Sequence, residues 1–140
     1  MKTKCILAAI ALSLLPLVSG AQGQQPLTPE QQEKKMRESI EEIVTRMEES
    51  LQLEVWQTFY VDSILTHNYG EMSKELKALS DNRVENADIY VLIQDKWEEA
   101  SYQAFSKIFD EKQWATYLKN GATRAKKARE KRALKREGKK

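Results

Sequence analysis

His67 is the only histidine among 140 residues, and Asn68, Tyr69 and Glu71 beside it do not stand at a spacing that joins an imidazole to further metal ligands or to a proton-sharing carboxylate. A surface or cap-like place follows for it. The carboxylate pairs Glu41-Glu42, Glu48-Glu49 and Glu98-Glu99 would divide acid and base roles only by converging, and sequence neighbours splay apart around a helix. They read as solvated faces. The single cysteine, Cys5, lies at the very start of the chain, and no glycine-rich phosphate loop occurs. No active site, metal site or cofactor site is defined by these residues, so the expectation is a protein that is not an enzyme.

Two further groups carry the weaker chemistry of adhesion. Trp56, Phe59, Tyr60, Trp97 and Trp114 fall within segments of helical spacing; such aromatics either fill a core or form a surface for a client chain or a second copy of the protein. The C-terminal segment is basic, with 11 Lys or Arg between Lys119 and Lys140 against Glu130 and Glu137. Arg124, Lys126, Lys127, Arg129, Lys131, Arg132, Lys135 and Arg136 are its candidates for an anionic partner. That partner is a lipid, an envelope polymer or an acidic protein surface, the chain's own body included; the plain alternative is a solvated end. Nucleic acid is not expected, because the segment has no aromatic residue for base stacking.

The N-terminus decides where these groups would act. Lys2 and Lys4, an apolar run from Cys5 to Val18 broken only by Ser13 and Pro16, and the small residues Ser19, Gly20 and Ala21 make the charged, apolar and cleavable regions of a secretory signal. The preferred cut falls before Gln22, and a cut before Gln24 fits nearly as well. The run is shorter than the ~20 apolar residues of a spanning helix, and Cys5 sits too early for a lipoprotein signal. The mature chain is therefore expected to be periplasmic or secreted, without a transmembrane segment. It has no thiol, which excludes disulfides, thiolate metal sites and cysteine nucleophiles. The whole chain holds 23 basic and 21 acidic residues. Without Lys2 and Lys4 it is formally neutral, a basic end joined to an equally acidic body.

Four amphipathic helices and a basic extension must position the two adhesive groups. Thr28-Pro29-Glu30-Gln31 is a helix start, with Thr28 as cap, Pro29 at the first helical position and Gln31 as capping-box partner; Met36, Ile40, Ile43, Val44, Met47 and Leu51 then form one stripe. A second helix begins near Glu54 and runs towards Leu79 on Trp56, Tyr60, Ile64, Leu65, Met72, Leu76 and Leu79, with Gly70 permitting a bend. Ser80-Asp81-Asn82 is the clearest interior turn. A third helix, capped by Asn86 or Asp88, places Ile89, Ile93, Trp97, Ala100, Ala104 and Ile108 on one face with Tyr90 and Phe105 beside it. Asp110 caps a fourth, with Gln113 as box partner and Phe109 stapled onto Trp114. Asn120-Gly121 is a helix stop. Beyond it the extension has little apolar surface, which predicts a frayed helix or one ordered only in contact with something else. The organisation is a signal peptide at 1–21, a polar leader at 22–27, an all-α domain at 28–120 as an elongated helical hairpin or bundle, and a basic helical or disordered tail at 121–140.

One pattern recurs: an apolar residue, a polar one, two variable positions and Gln. It occurs as Leu27-Thr28-Pro29-Glu30-Gln31, Leu53-Glu54-Val55-Trp56-Gln57 and Phe109-Asp110-Glu111-Lys112-Gln113. Physically it is a helix-start device, the apolar residue closing on the core while the polar residue and Gln satisfy free backbone N–H groups. The first copy is a literal LTxxQ motif. Together with a signal peptide and a small charged helical domain, it resembles the Spy/CpxP-like LTxxQ family of periplasmic helical proteins. The second copy departs from the motif at Glu54, the third at Phe109-Asp110, and the aromatic content is heavier than that family's, as in a divergent branch. The resemblance implies an antiparallel, cradle-shaped homodimer acting on unfolded or envelope proteins as an ATP-independent chaperone or envelope-stress adaptor. The alternative is a non-catalytic structural or interaction protein of the envelope, docked through its basic tail.

Overall fold

A computed structural model describes residues 26–138. The signal peptide, its cleavage site, Cys5 and most of the polar leader lie outside the described residues. Within them the chain is an all-α bundle: α1 (Pro29–Leu51), α2 (Val55–Asp81), α3 (Ala87–Ile108), α4 (Glu111–Tyr117) and α5 (Thr123–Glu137), the last two joined by a π-helical turn, Leu118–Ala122. Among the described residues no helix is long and apolar enough to cross a membrane.

Each helix starts where its local chemistry directs. Thr28 Oγ1 accepts from the Gln31 N–H at 3.2 Å while Gln31 Oε1 accepts from the Thr28 N–H at 2.9 Å, a closed capping box. Asp110 and Gln113 repeat it at α4, at 2.8 and 3.0 Å. Asn86 caps α3 by accepting from the Asp88 N–H. The corner after α1 turns on Gln52, whose left-handed backbone (φ 53°) lets its own N–H and that of Leu53 reach Glu48 O. Arg83 (φ 54°) performs the same reversal after α2, where the Val84 N–H returns to Leu79 O. Gly70 leaves α2 continuous over 27 residues.

α2 packs between α1 and α3, and α4 leads through the π-helical turn into α5. The core gathers where the α1–α2 and α3–α4 corners meet: Ile40, Val44, Leu51, Leu53, Val61, Leu65, Phe105 and Phe109 are buried, and Met36, Met47, Ile108, Trp114 and Tyr117 pack against them. Ile40 and Val61 are completely enclosed, and each such side chain contributes about 1.5–3 kcal/mol relative to exposure. Phe109 stacks on Phe105 at 5.4 Å and meets Tyr117 edge-on at 5.7 Å. The Trp114 ring meets Tyr102 and Tyr117, so in place of a simple staple of Phe109 onto Trp114 there is a five-ring cluster.

The apolar stripe of α2 is a correction. Its buried residues are Gln57, Val61, Leu65, Asn68 and Met72, which leaves Trp56 and Tyr60 on the solvent side. The seam is hard to see in hydropathy because two of its members are polar amides. Asn68 Nδ2 donates to Ser101 Oγ at 2.9 Å, joining α2 to α3.

The end of the chain differs from a simple stop. Gly121 adopts φ 119°, a backbone that favours glycine, but the helix resumes at once as α5. α5 then folds back along α3, and the contact that orders it is the chain's own acidic face, described below.

Candidate binding surface

The three motif copies have different fates. Leu27, Thr28 and Gln31, the literal copy, are exposed at the N-terminal end of α1. Leu53, Gln57, Phe109 and Gln113, from the two degenerate copies, are buried and meet one another, while Asp110 stays at the surface as a cap. Gln57 Nε2 donates to Gln113 Oε1 at 2.6 Å and Gln113 Nε2 donates to Gln57 Oε1 at 2.9 Å. Each Oε1 also accepts from its own cap, the Glu54 N–H or the Asp110 N–H. Each Nε2 also reaches the carbonyl end of the helix before the other corner, Ile108 O at 2.9 Å and Gln52 O at 3.5 Å. Both amides thus use two donors and two acceptor positions, their full capacity. This buried, satisfied junction locks the start of α2 against the end of α3 and fixes which side of α2 faces out.

What faces out is aromatic. Val55, Trp56, Phe59 and Tyr60 are 87%, 48%, 66% and 51% exposed on the first two turns of α2. Trp56 and Phe59 both meet Tyr60 edge-on, at 6.1 and 5.8 Å, and Trp56 is steadied by donation from its Nε1 to Glu54 Oε2 at 2.6 Å. Beside them a shallow groove between α1 and α2 is lined by Arg37, Glu41, Val44, Thr58 and Asp62 together with Val55 and Phe59. The Thr58 hydroxyl, on the groove's α2 wall, is buried without a hydrogen-bond partner. Val55 escaped the sequence reading; its one signal was the position two residues before Gln57, off the amide seam.

Trp97 and Trp114 do not belong to this patch. Trp97 is half-buried between α2 and α3, donating to Glu75 Oε1 at 3.1 Å with the Lys96 ammonium over its ring at 4.7 Å. His67, itself exposed, meets the Trp97 ring edge-on at 6.1 Å. Trp114 packs on the core. Among the described residues no three His, Cys, Asp or Glu side chains gather as a metal-ligating group.

The eight basic candidates divide by helix face. Four turn inward onto α3. Arg129, only 7% exposed, donates to Glu99 at 2.8 and 3.2 Å and lies 3.6 Å from Glu98. Arg132 grips the buried Asp95 with two bonds, at 2.6 and 3.0 Å, and Arg136 adds two more. Lys126 reaches Glu99 at 3.3 Å and sits over the Tyr102 ring at 4.9 Å. Burial pushes the Glu99 carboxyl up, but hydrogen bonds from Gln103, Arg129 and Lys126 outweigh it and bring its pKa to about 2. Burial wins at Glu98, which stays above the ordinary carboxylate value although Arg129 pulls it down. The other four, Arg124, Lys127, Lys131 and Lys135, are exposed and make no ion pair among the described residues.

Compared with protein-family models, curated proteins and solved structures, the chain matches none.

Proposed function

We propose that the protein is an exported, non-catalytic helical binding protein, a Spy/CpxP-like ATP-independent chaperone or envelope-stress adaptor that holds unfolded envelope proteins on the aromatic patch of α2. The observation that carries this reading is the set Val55, Trp56, Phe59 and Tyr60, exposed side by side on the first two turns of α2. Such a patch adds nothing to the core, and about 25 cal/mol per Å² becomes available only when a partner covers it. The signal-like N-terminus and the LTxxQ resemblance support the same reading. Glu41 and Asp62 line the groove beside the patch together with Arg37, and Glu42, Glu48 and Glu49 are exposed on α1; in this reading that acidic charge steers basic segments of a client inward before the aromatics retain them. No nucleotide is required. A homodimer would bring two patches to one client.

The test is suppression of aggregation of a chemically unfolded client by the purified protein, without ATP, at near-stoichiometric ratio, with its mass in solution recorded. The expected result is suppression that is lost in Trp56→Ser/Phe59→Ser/Tyr60→Ser while the melting midpoint stays put, because these side chains lie outside the core. A folded wild type that protects no client would sink the reading.

A second reading, peripheral docking on an anionic envelope surface through the tail, is favoured by the four basic side chains of α5 that face solvent.

A further inference from the structure

We propose that the solvent face of α5 is a docking strip for an anionic lipid surface, formed by Arg124, Lys127, Lys131 and Lys135 with Leu134 among them. This rests on the second reading above and assigns its face and its ligand. The argument begins with what the opposite face does. Arg129, Arg132 and Arg136 are engaged by Asp95, Glu98 and Glu99, and Lys126 is bound to Glu99 and Glu130. Those contacts neutralise half of the helix's basic charge and set its rotation, so that the remaining half points away from the body. Steps of three and four residues put the outer four on one line, about 16 Å long at 1.5 Å per residue.

Leu134 decides the kind of anion. It is 68% exposed, flanked by Lys131 and Lys135, and α5 gives it no apolar neighbour of comparable size. A basic row with an apolar side chain inside it suits a bilayer interface, where the Lys stems lie along the surface with their ammonium groups at the phosphates and the leucine enters the acyl boundary. A nucleic acid would call for stacking rings, and α5 has none. Each basic side chain near an anionic bilayer tightens binding roughly fivefold, so four on one line act together as a weak, salt-sensitive anchor.

The experiment measures binding of the purified protein to phosphatidylcholine vesicles with and without phosphatidylglycerol. The expected result is binding that needs phosphatidylglycerol, falls more than tenfold in Lys131→Glu/Lys135→Glu at unchanged helix content, and falls a few-fold in Leu134→Ser. Absence of any dependence on phosphatidylglycerol overturns this inference, and the tail-docking reading too if inorganic polyphosphate is not bound either. Dependence that survives Lys131→Glu/Lys135→Glu overturns the outer face alone and leaves docking through the tail standing. Polyphosphate binding as tight as vesicle binding, with Leu134→Ser silent, overturns the lipid in favour of a soluble polyanion.

Discussion

Gln57 and Gln113 show why an amide, and not an apolar residue, stands at each corner. Their side chains close two caps, bond each other and reach two helix ends. Shortening Gln57 to Ala strands the Ile108 carbonyl, the Glu54 N–H and the partner amide, and each buried group left unpaired costs about 1–3 kcal/mol. Denaturant unfolding of Gln57→Ala should show a loss of about 2–4 kcal/mol. The Gln57→Ala/Gln113→Ala double variant should lose less than the two single losses added, by about 1 kcal/mol or more, as expected for residues in one network; strict additivity would contradict the pairing. Glu99 makes a prediction of opposite character, in pH. Its folded pKa of about 2 lies below the ordinary 4.5, so the unfolded chain takes up the proton first. The stability it contributes is complete above about pH 4.5 and is lost as pH falls towards 2. Glu98 works the other way, its raised value favouring the protonated folded form. Melting followed from pH 5 down to 2 should therefore fall less steeply in Glu99→Gln than in the wild type.

At the scale of elements, helix starts were legible and helix faces were less so. Thr28 and Asp110 cap where sequence reasoning puts them, and of the two candidates for α3, Asn86 and Asp88, it is Asn86 that caps, because capping depends on a few residues in a row. The stripe of α1 was equally legible, since Ile40, Val44 and Leu51 are apolar and buried. The face of α2 was misread towards Trp56 and Tyr60 because its true seam contains Gln57 and Asn68, and their burial is justified only by partners 51 and 33 residues away. The tail was readable as basic, and as either helical or disordered, but not its order or its division into two faces, which depend on where Asp95 and Glu99 fall on α3. Gly121 belongs to this scale. Its φ of 119° strains any other residue by about 1–3 kcal/mol, so Gly121→Ala should swing α5 off α3. Amide exchange would register this as lost protection confined to Thr123–Glu137, with α1 to α3 unchanged.

For the whole molecule, charge and apolar surface are separated in space. The core sits at one end, the aromatic patch opens beside it on α2, and α5 carries its unpaired charge on the solvent side. If acidic steering precedes aromatic retention, stopped-flow association with a basic unfolded client should slow several-fold between low and physiological salt, because surface charges are screened beyond about 8–10 Å there; dissociation should change little. A rate indifferent to salt would remove steering and leave the patch itself standing. The central claim, that the patch holds the client, is tested most directly by photo-crosslinking. A photoreactive amino acid in place of Phe59 should capture an unfolded client in high yield, and the same group in place of Lys77, on the far part of α2, should not. Equal capture at both positions, or capture at Lys77 alone, would contradict the account.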